Sequence, residues 1–503
     1  MINATRRRVL AYGASTISGG LIVVGGVAAG WAQAGPVRRE VTAAAAAGAV
    51  AAYRAAVRYM RSLPASDPRS WTAVTNVHAT WCPHRNWYFL PWHREYLIAV
   101  ENLIRSLPTS QVPGAQSFAF PYWNWTMNPR LPAPCANARL SDGSANPLFN
   151  STRRLRSGQA VPAELVSASV MANIYDQSSF EAFASSRPTG QRTVAATWQR
   201  RQGTMGLFEA SPHNGVHNAC GGDMRTMLSP NDPIFFLHHA NIDRIWMSWT
   251  RQGHADTAST LWRNHLFDRN FTRPDGRPYS IRVRDVRAVG YVYDRLDPAP
   301  SGSQQVSTFA PEGEWVRLAA VGGALTVSDP GAGRFRAAGR MRAALGRPGS
   351  AVVPLEGRAR RRNARAALRL IDVPTPVTAT APLVRVFVNH PALGPDTAPA
   401  GPHYVGTVAF FGTWAQNRAV LALAQAPGLG FSPDDLCFAL PGQAAASEPR
   451  TTFELPLTRV LARLEAAGKP LGERVTIQLV PVPLGEAAAQ VVVEPSEVEI
   501  EFF

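Results

Sequence analysis

Histidine is the residue type in this chain whose spacing first suggests chemistry. The chain has 11 histidines among 503 residues. Seven of them fall in two aromatic-rich windows, the first with His78, His84 and His93 and the second with His213, His217, His238 and His239. Neutral imidazole is a good ligand for zinc, copper, iron and nickel. The two windows therefore predict two trios of imidazoles, each holding one metal ion.

Neither window contains a carboxylate at ligand spacing. Hydrolytic two-metal sites usually include aspartate or glutamate ligands, which suit hard cations. Here Asp232, Asp243 and Glu101 fit only positions behind the ligands, so imidazoles alone favour a soft ion of low charge such as Cu(I). A single histidine on an aromatic helix is more often a packed core residue than a ligand, and only the clustering reverses that expectation.

The first window predicts a helix, a loop and a second helix. Pro91 lies between His84 and His93, and proline is favoured in the first turn of a helix. We therefore expect a helix that starts near Pro91 and carries His93 in its first turn. His84 then belongs to the preceding loop, and His78 ends the short helix before it.

The second window predicts two ligand-bearing helices. His213 and His217 are four residues apart, which places both on one helical face. His239 and Asp243 have the same spacing on the next predicted helix. A metal-bound imidazole usually donates its other N–H to a carbonyl or carboxylate, so we expect Asp243 to accept that bond from His239.

Two longer motifs carry a resemblance to a known family. HRNWYFLPWHREYLIAVE resembles the copper A signature of the tyrosinase and polyphenol oxidase (catechol oxidase) family, and DPIFFLHHANID resembles its copper B signature. PHNGVH followed by two glycines supports the likeness. The resemblance implies two sets of copper ligands: His78, His84 and His93 for copper A, and His213, His217 and His239 for copper B. His238 is then a neighbour, because the family's ligand lies four residues before the aspartate.

The same resemblance implies an activity. A protein of this kind uses two copper ions and O2 to oxidise small o-diphenols to o-quinones, and some members also hydroxylate monophenols. In the family, Glu and Asn at the positions of Glu209 and Asn214 are thought to hold a water that takes the phenol proton. Asn218 would lie near the substrate. The alternative role of Glu209 is a stabilising charge at a helix N-terminus.

Cys82 precedes His84 by two residues, in the C-x-H spacing that part of the family uses for a cysteine–histidine thioether bond. The alternative is a plain buried thiol. Four cysteines are too few for a disulfide scaffold in a chain this long. Cys135 and Cys220 are nevertheless a candidate disulfide pair in an oxidising compartment.

Three other functions stay open on the sequence. A haemocyanin-like oxygen carrier resembles the family at the same histidines but keeps its site closed to phenols. An o-aminophenol oxidase uses the same kind of site. A zinc or iron hydrolase is the least favoured alternative because carboxylate ligands are missing. The net charge of +16 comes from scattered arginines and does not indicate nucleic-acid binding.

The chain divides into four predicted segments. Residues 1–34 contain TRRRVL before an apolar run and read as a twin-arginine signal. They predict a bacterial protein that is exported to the periplasm or secreted, without stable membrane association after cleavage. Residues 35–297 predict a mainly α, four-helix-bundle dicopper domain with long loops. A linker at 298–312 and a smaller all-β, sandwich- or barrel-like domain at 313–503 follow, and the resemblance makes that domain a possible active-site cover. A copper chaperone is a candidate partner.

Overall fold

The computed structural model describes most of the chain after residue 34. The described ranges are 35–192, 198–298, 333–337, 340–355, 365–376, 382–411, 450–472, 474–484 and 491–502. The predicted signal, the linker beyond residue 298 and Cys437 lie outside them. We refer to residues 35–298 as the helical part and to residues 333–502 as the β part. The described residues from Gly35 onward cluster as one compact unit.

Helices dominate the helical part and carry both histidine windows. The longer helices of the described residues are α1 (Ala47–Ser62), α2 (Trp71–Trp81), α3 (Phe89–Arg105), α4 (Ala168–Tyr175), α5 (Asn214–Cys220), α6 (Ile234–Arg251) and, in the β part, α7 (Thr458–Ala466). Single helical turns lie at Ala133–Ala136, Ala163–Val166, Phe180–Phe183 and Thr260–Arg263. A π-helical turn, Glu209–His213, leads directly into α5. The predicted mainly helical domain with long loops is confirmed.

The start of α3 differs slightly from the prediction. The helix begins at Phe89, two residues before Pro91. The side-chain oxygen of Asn86 accepts the N–H of Tyr88 at 2.8 Å, and the Asn86 carbonyl accepts that of Phe89 at 3.1 Å. These two bonds satisfy donors that a helix start leaves exposed, so the helix can begin before the proline.

Strands form most of the β part. The strands of the chain are β1 (Val37–Arg38), β2 (Thr204–Met205), β3 (Leu266–Thr272), β4 (Pro278–Arg282), β5 (Val292–Tyr293), β6 (Gly333–Arg336), β7 (Ala343–Ala344), β8 (Gly349–Pro354), β9 (Ala366–Pro374), β10 (Leu383–Val388), β11 (Tyr404–Ala409), β12 (Arg450–Pro456), β13 (Arg474–Val482), β14 (Val492–Val493) and β15 (Glu497–Phe502). Buried and less buried residues alternate along β12, as expected for a strand with one face in a core. The all-β prediction is therefore confirmed, with α7 as its helix.

Two sheets enclose the core of the β part. One has the order β11-β10-β13-β8 and is antiparallel throughout. The other has the order β2-β12-β9-β15-β6, and its first pair is parallel. Residues from both sheets share one hydrophobic cluster. The edge strand β2 comes from the helical part, so the larger sheet is completed by a segment that leads into the second histidine window.

The two hydrophobic cores also exchange residues. Met205 of the helical part belongs to the cluster of the β part, while Phe411 of the β part belongs to the cluster of the helical part. Among the described residues, helices of sufficient length and hydropathy to cross a bilayer are not found.

Candidate dinuclear metal centre

The first histidine trio converges as the sequence predicts. His78 lies on α2, His84 in the loop after it, and His93 on α3. The Nε2 atoms of His78 and His93 are 3.3 Å apart, and the ring of His84 lies 5.5 Å and 5.2 Å from their rings. All three side chains are buried.

The second trio packs against the first. The rings of His213 and His217 are 4.6 Å apart at the junction of the π turn and α5. The Nε2 atoms of His217 and His239 are 3.2 Å apart. The His239 ring also stacks on that of His93, with centroids 4.4 Å apart and planes inclined by 8°. The two trios therefore form one continuous cluster.

Hydrogen bonds on the outer side of the rings fix which nitrogen carries the proton. The Nδ1 atoms of His78, His93 and His217 donate to the carbonyls of Met227, Phe89 and Met224 at 2.7, 2.8 and 2.6 Å. Asn214 acts similarly, because its amide nitrogen donates to the carbonyl of Ala409 and its oxygen accepts from His213 Nδ1 at 2.9 Å. In each neutral ring, Nε2 is then left with a lone pair toward the cluster.

This arrangement fits a pair of metal ions. Two lone pairs 3.3 Å apart, as at His78 and His93, have no hydrogen between them and repel each other unless a cation lies between. Two nitrogens bound to one ion at about 2.0–2.1 Å in tetrahedral geometry are roughly 3.3 Å apart. The donor set is imidazole only, which suits copper or zinc.

Burial keeps these rings neutral. Desolvation, followed by the fields of the neighbouring histidines, holds the pKa values of His84, His93, His213 and His239 well below their usual range. Burial is also the main cause that lowers the pKa of His78 to about 4 and that of His217 to about 3. Near neutral pH all six imidazoles are therefore in the form that binds metal.

His238 is held differently from the six. Its Nδ1 accepts the indole N–H of Trp125 at 3.2 Å. The proton of the neutral ring must then be on Nε2, which makes that nitrogen a donor rather than a ligand. Although His238 lies within the same group of potential ligands, this bond supports the sequence interpretation that it is a neighbour.

Cys82 lies beside the loop ligand. Its sulfur is 3.5 Å from His84 Nδ1, and the ligand atoms of His78, Cys82 and His84 lie within 4.8 Å of one another. The thiol is buried. The predicted thioether is sterically accessible from this position and stays a prediction.

Asp243 does not play the role expected for it. Its two oxygens accept from Arg94, Arg38, Tyr291 and Tyr293 at 2.5 to 3.0 Å. Within the described part of the chain, no hydrogen bond joins it to His239. Two buried guanidinium groups attract the carboxylate more strongly than a neutral imidazole can. Asp243 instead ties α6 to α3, the helices that carry His239 and His93.

Glu209 and Asn214 lie in the same buried region, on either side of His213. The Glu209 oxygens accept from the backbone N–H of Arg85 and the hydroxyl of Ser185, each at 2.6 Å. Burial raises the pKa of Glu209 to about 7 against the opposing effect of these bonds. The nearby Asn218 donates its amide N–H to the carbonyl of Phe410.

Phe411 was not predicted as a site residue. It follows β11 and stacks on the ring of His84, with centroids 4.9 Å apart and planes inclined by 14°. Its ring is also 5.8 Å from that of His213 and 4.7 Å from that of His217. A side chain of the β part thus covers histidines of both trios. The motif HYVGTVAFFG indicates a strand but not where its end lies.

The candidate disulfide is not formed. Cys135 and Cys220 are both free, buried thiols, and burial raises the pKa of Cys135 to about 12. The structure therefore corrects the prediction that these two cysteines could pair in an oxidising compartment.

Known proteins are similar in sequence to the part of the chain that carries the histidine cluster. Residues 68–252 match the sequence model described as the common central domain of tyrosinase. The chain is 29% identical over 284 residues to a chloroplastic (+)-larreatricin hydroxylase of Larrea tridentata, covering 49% of this chain and 47% of that protein. It is 29% identical over 299 residues to a tyrosinase of Hahella sp., covering 50% and 61%. The chain therefore spans about half the length of the curated relatives it matches.

Solved structures share the fold over nearly the whole chain. A latent apple tyrosinase superposes with a TM-score of 0.63 at 20% identity, covering 93% of this chain and 97% of that one. A recombinant latent aurone synthase (polyphenol oxidase) gives a TM-score of 0.62 at 18% identity, covering 93% and 89%.

Fold and site together describe a helical protein with a buried cluster of six histidines that fits two metal ions, joined to a β part. The central part of the chain, residues 68–252, is similar to the common central domain of tyrosinase.

Proposed function

We propose that this protein is a type-3 copper oxidoreductase that uses O2 to oxidise small o-diphenols to o-quinones. The observation that carries the proposal is the convergence of six buried, neutral imidazoles, with Nε2 pairs at 3.3 and 3.2 Å. His78, His84 and His93 would hold one copper ion, and His213, His217 and His239 the other. Bound copper supplies the redox chemistry with O2.

The protein itself supplies orientation and proton handling. The carbonyls behind His78, His93 and His217 and the amide behind His213 fix the rings, so the ligands need little rearrangement to bind metal. Beside this cluster, Glu209 is a buried carboxylate with a pKa of about 7, which suits a group that takes a phenol proton near neutral pH. We infer that monophenols are hydroxylated as well as diphenols oxidised.

We further propose that the β part keeps the enzyme latent. Phe411 occupies the space over His84 and His217 where an aromatic substrate would have to approach. Asn214 and Asn218 bind the carbonyls of Ala409 and Phe410, so the segment that carries Phe411 is anchored by residues next to the ligands. Displacement of this segment, by cleavage or by opening, would admit phenols.

An oxygen carrier is the second candidate, because a permanently covered site would bind O2 without oxidising phenols. Displacement of the cover distinguishes the two functions, since only an oxidase would then turn over phenols. An o-aminophenol oxidase differs from the main proposal only in its substrate. Twin-arginine export, delivery of copper by a chaperone and the Cys82–His84 thioether complete the proposal and await their own tests.

The test begins with the full chain loaded with copper. We expect two copper ions per chain by elemental analysis, and only about one in His217→Ala. Catechol oxidation should be weak before limited proteolysis and strong after it, and tyrosine turnover would identify monophenol hydroxylation. Copper binding without any turnover after proteolysis would favour oxygen carriage. A failure to bind two copper ions would refute the proposal.

A further inference from the structure

Glu209 is held at both oxygens by groups from different segments. Oε1 accepts the backbone N–H of Arg85, one residue after a histidine ligand, and Oε2 lies 2.6 Å from the hydroxyl oxygen of Ser185. Glu209 and Ser185 are both fully buried. The position of this carboxylate is therefore determined by the segments at 85–87 and 184–186 as well as by its own turn.

Those segments are joined in a rigid frame. The N–H of Gly203 donates to the Arg85 carbonyl at 2.6 Å, and that of Ser186 donates to the Thr204 carbonyl at 2.8 Å. Arg85 adopts a left-handed backbone conformation with φ of 61°, which costs free energy for a residue other than glycine. That conformation persists because the surrounding bonds require it. The frame thus holds the two donors to Glu209 in fixed places.

Ser185 has one proton and two nearby acceptors. Its oxygen is 2.6 Å from Glu209 Oε2 and 2.6 Å from the carbonyl oxygen of Ala184. It also accepts the N–H of Gly206 at 3.2 Å. A hydroxyl can donate to only one acceptor at a time. The Ser185 proton therefore points either toward the Glu209 carboxylate or toward the Ala184 carbonyl.

The charge of Glu209 determines which acceptor the Ser185 hydroxyl binds. When Glu209 is ionised, the Ser185 hydroxyl donates to Oε2. When Glu209 is protonated on Oε2, its own O–H donates to Ser185, and the serine proton turns to Ala184. In both states the Ser185–Glu209 contact keeps a hydrogen between its two oxygens, which avoids the cost of burying an unsatisfied polar group.

We propose that Ser185 is a positioning residue for Glu209, and that its hydroxyl reorients between Glu209 and the Ala184 carbonyl as the carboxylate gains and loses a proton. The inference rests on the proposed function, in which Glu209 takes the proton of a phenol. Ser185 allows that transfer without a change in the position of the carboxylate.

The electrostatics agree with this geometry. Burial raises the pKa of Glu209, whereas the Ser185 hydroxyl and the Arg85 N–H lower it because they bind the charged form. Among the described residues, the Arg85 guanidinium is the one charged group whose field contributes to the pKa of Glu209. Removal of the Ser185 hydroxyl must therefore raise the pKa.

The first experiment titrates Glu209 directly. Infrared spectra of the metal-free full chain give its carboxyl band as the difference from Glu209→Gln. We expect Ser185→Ala to raise the midpoint by about one pH unit, since one hydrogen bond to the charged form is lost. Ser211→Ala is the matched control: Ser211 is equally buried, lies on the same turn, and its hydroxyl has no hydrogen-bond partner among the described residues. In Ser211→Ala the titration midpoint of Glu209 should be unchanged.

The second experiment separates positioning from folding. In copper-loaded Phe411→Ala protein, adding Ser185→Ala should reduce tyrosine hydroxylation on the order of tenfold, because misplacing a reacting group is costly. Catechol oxidation should change less than about twofold. Ser185→Thr, which keeps a hydroxyl, should restore the lost activity. Ser185→Cys replaces the alanine variant if the latter does not fold.

The outcomes distinguish this inference from the proposed function. An unchanged midpoint, or an equal loss with both substrates, would overturn the role of Ser185 while leaving the oxidase intact. A shifted midpoint in a protein that turns over neither phenol would instead refute the oxidase and retain Ser185 as the group that sets the pKa of Glu209.

Discussion

A buried ion-pair network in the helical part contrasts with an exposed ion pair in the β part. In the helical part, Arg38 pairs with Glu101 and Asp243 at 2.9 and 3.0 Å, and Arg94 pairs with Asp243, with every one of these side chains at most 5% exposed. In the β part, the arginine of the Arg334–Glu501 pair is 57% exposed. A buried network loses much stability when one partner is removed, whereas an exposed pair contributes little.

The difference reflects what each part must do. The buried network joins α3 and α6, whose histidines stack at 4.4 Å, so it fixes the position of one histidine trio relative to the other. The β part holds one ring over the site and has no ligand among its described residues. Displacement of the β part would break the hydrogen bond from Asn214 to the Ala409 carbonyl, but all six imidazoles would stay on the helical part.

Replacing Asp243 by asparagine should cause the largest loss of stability among these predictions. The change leaves Arg38 and Arg94 buried without the full compensating charge and should cost about 3–5 kcal/mol of unfolding free energy. Glu501→Gln, which breaks an exposed pair, should cost less than about 1 kcal/mol. Chemical denaturation of both variants measures the difference. Similar losses in the two variants would show that burial of the network does not distinguish the parts.

The sequence predicts which histidines lie together because part of their spacing is local. His213 and His217 are four residues apart and their rings are 4.6 Å apart, so local helical geometry accounts for this pair, whereas the approach of the two trios depends on the packing of α3 against α6. The partners of Asp243 are mispredicted because Arg38 and the tyrosines that bind it come from strand β1 and from the segment at 291–293, which are distant in sequence. Sequence spacing gives no measure of which charge will be nearest after folding.

Contacts between segments that are distant in sequence could not be predicted for the same reason. Phe411 reaches His84, and Ser185 reaches Glu209, only after separate segments fold against each other. The sequence patterns indicate the loop that carries His84 and the strand that precedes Phe411, but not that the loop and the strand lie together. The resemblance predicts that the β part could cover the site. The structure identifies Phe411 as the side chain of that part that lies against the histidines.

Replacing Phe411 by alanine should increase the activity of the uncleaved chain, whereas loss of a candidate ligand should decrease it. Burial of a phenylalanine side chain contributes about 1.5–3 kcal/mol, so the open population should rise on the order of ten- to a hundredfold. Catechol oxidation by the uncleaved chain measures this rise. Phe502→Ala is the matched control, because Phe502 is similarly buried in the same part but contacts Phe335 rather than a ligand. Equal activation by both variants would point to general loosening.

A smaller effect is expected at Glu164, which joins the parts at some distance from the ligands. Its oxygens accept two bonds from Arg385 on β10, each at 2.9 Å, and one from Thr407 on β11 at 2.8 Å. Because β11 leads directly to Phe411, these bonds help to hold the cover closed. Glu164→Gln removes the charge and keeps one acceptor, which should cost about 1 kcal/mol and raise the open population roughly fivefold.

Activity of the uncleaved chain, divided by its activity after limited proteolysis, measures this effect. Glu501→Gln is the control, since the Glu501–Arg334 pair lies wholly within the β part. A combined Glu164→Gln and Phe411→Ala variant should show the product of the two effects while the closed form predominates, because two contacts that stabilise the same closed state add in free energy. If Glu164→Gln instead lowers the activity measured after proteolysis, Glu164 acts on the candidate metal centre by another route, and the division between a fixed helical part and a movable β part is wrong at this contact.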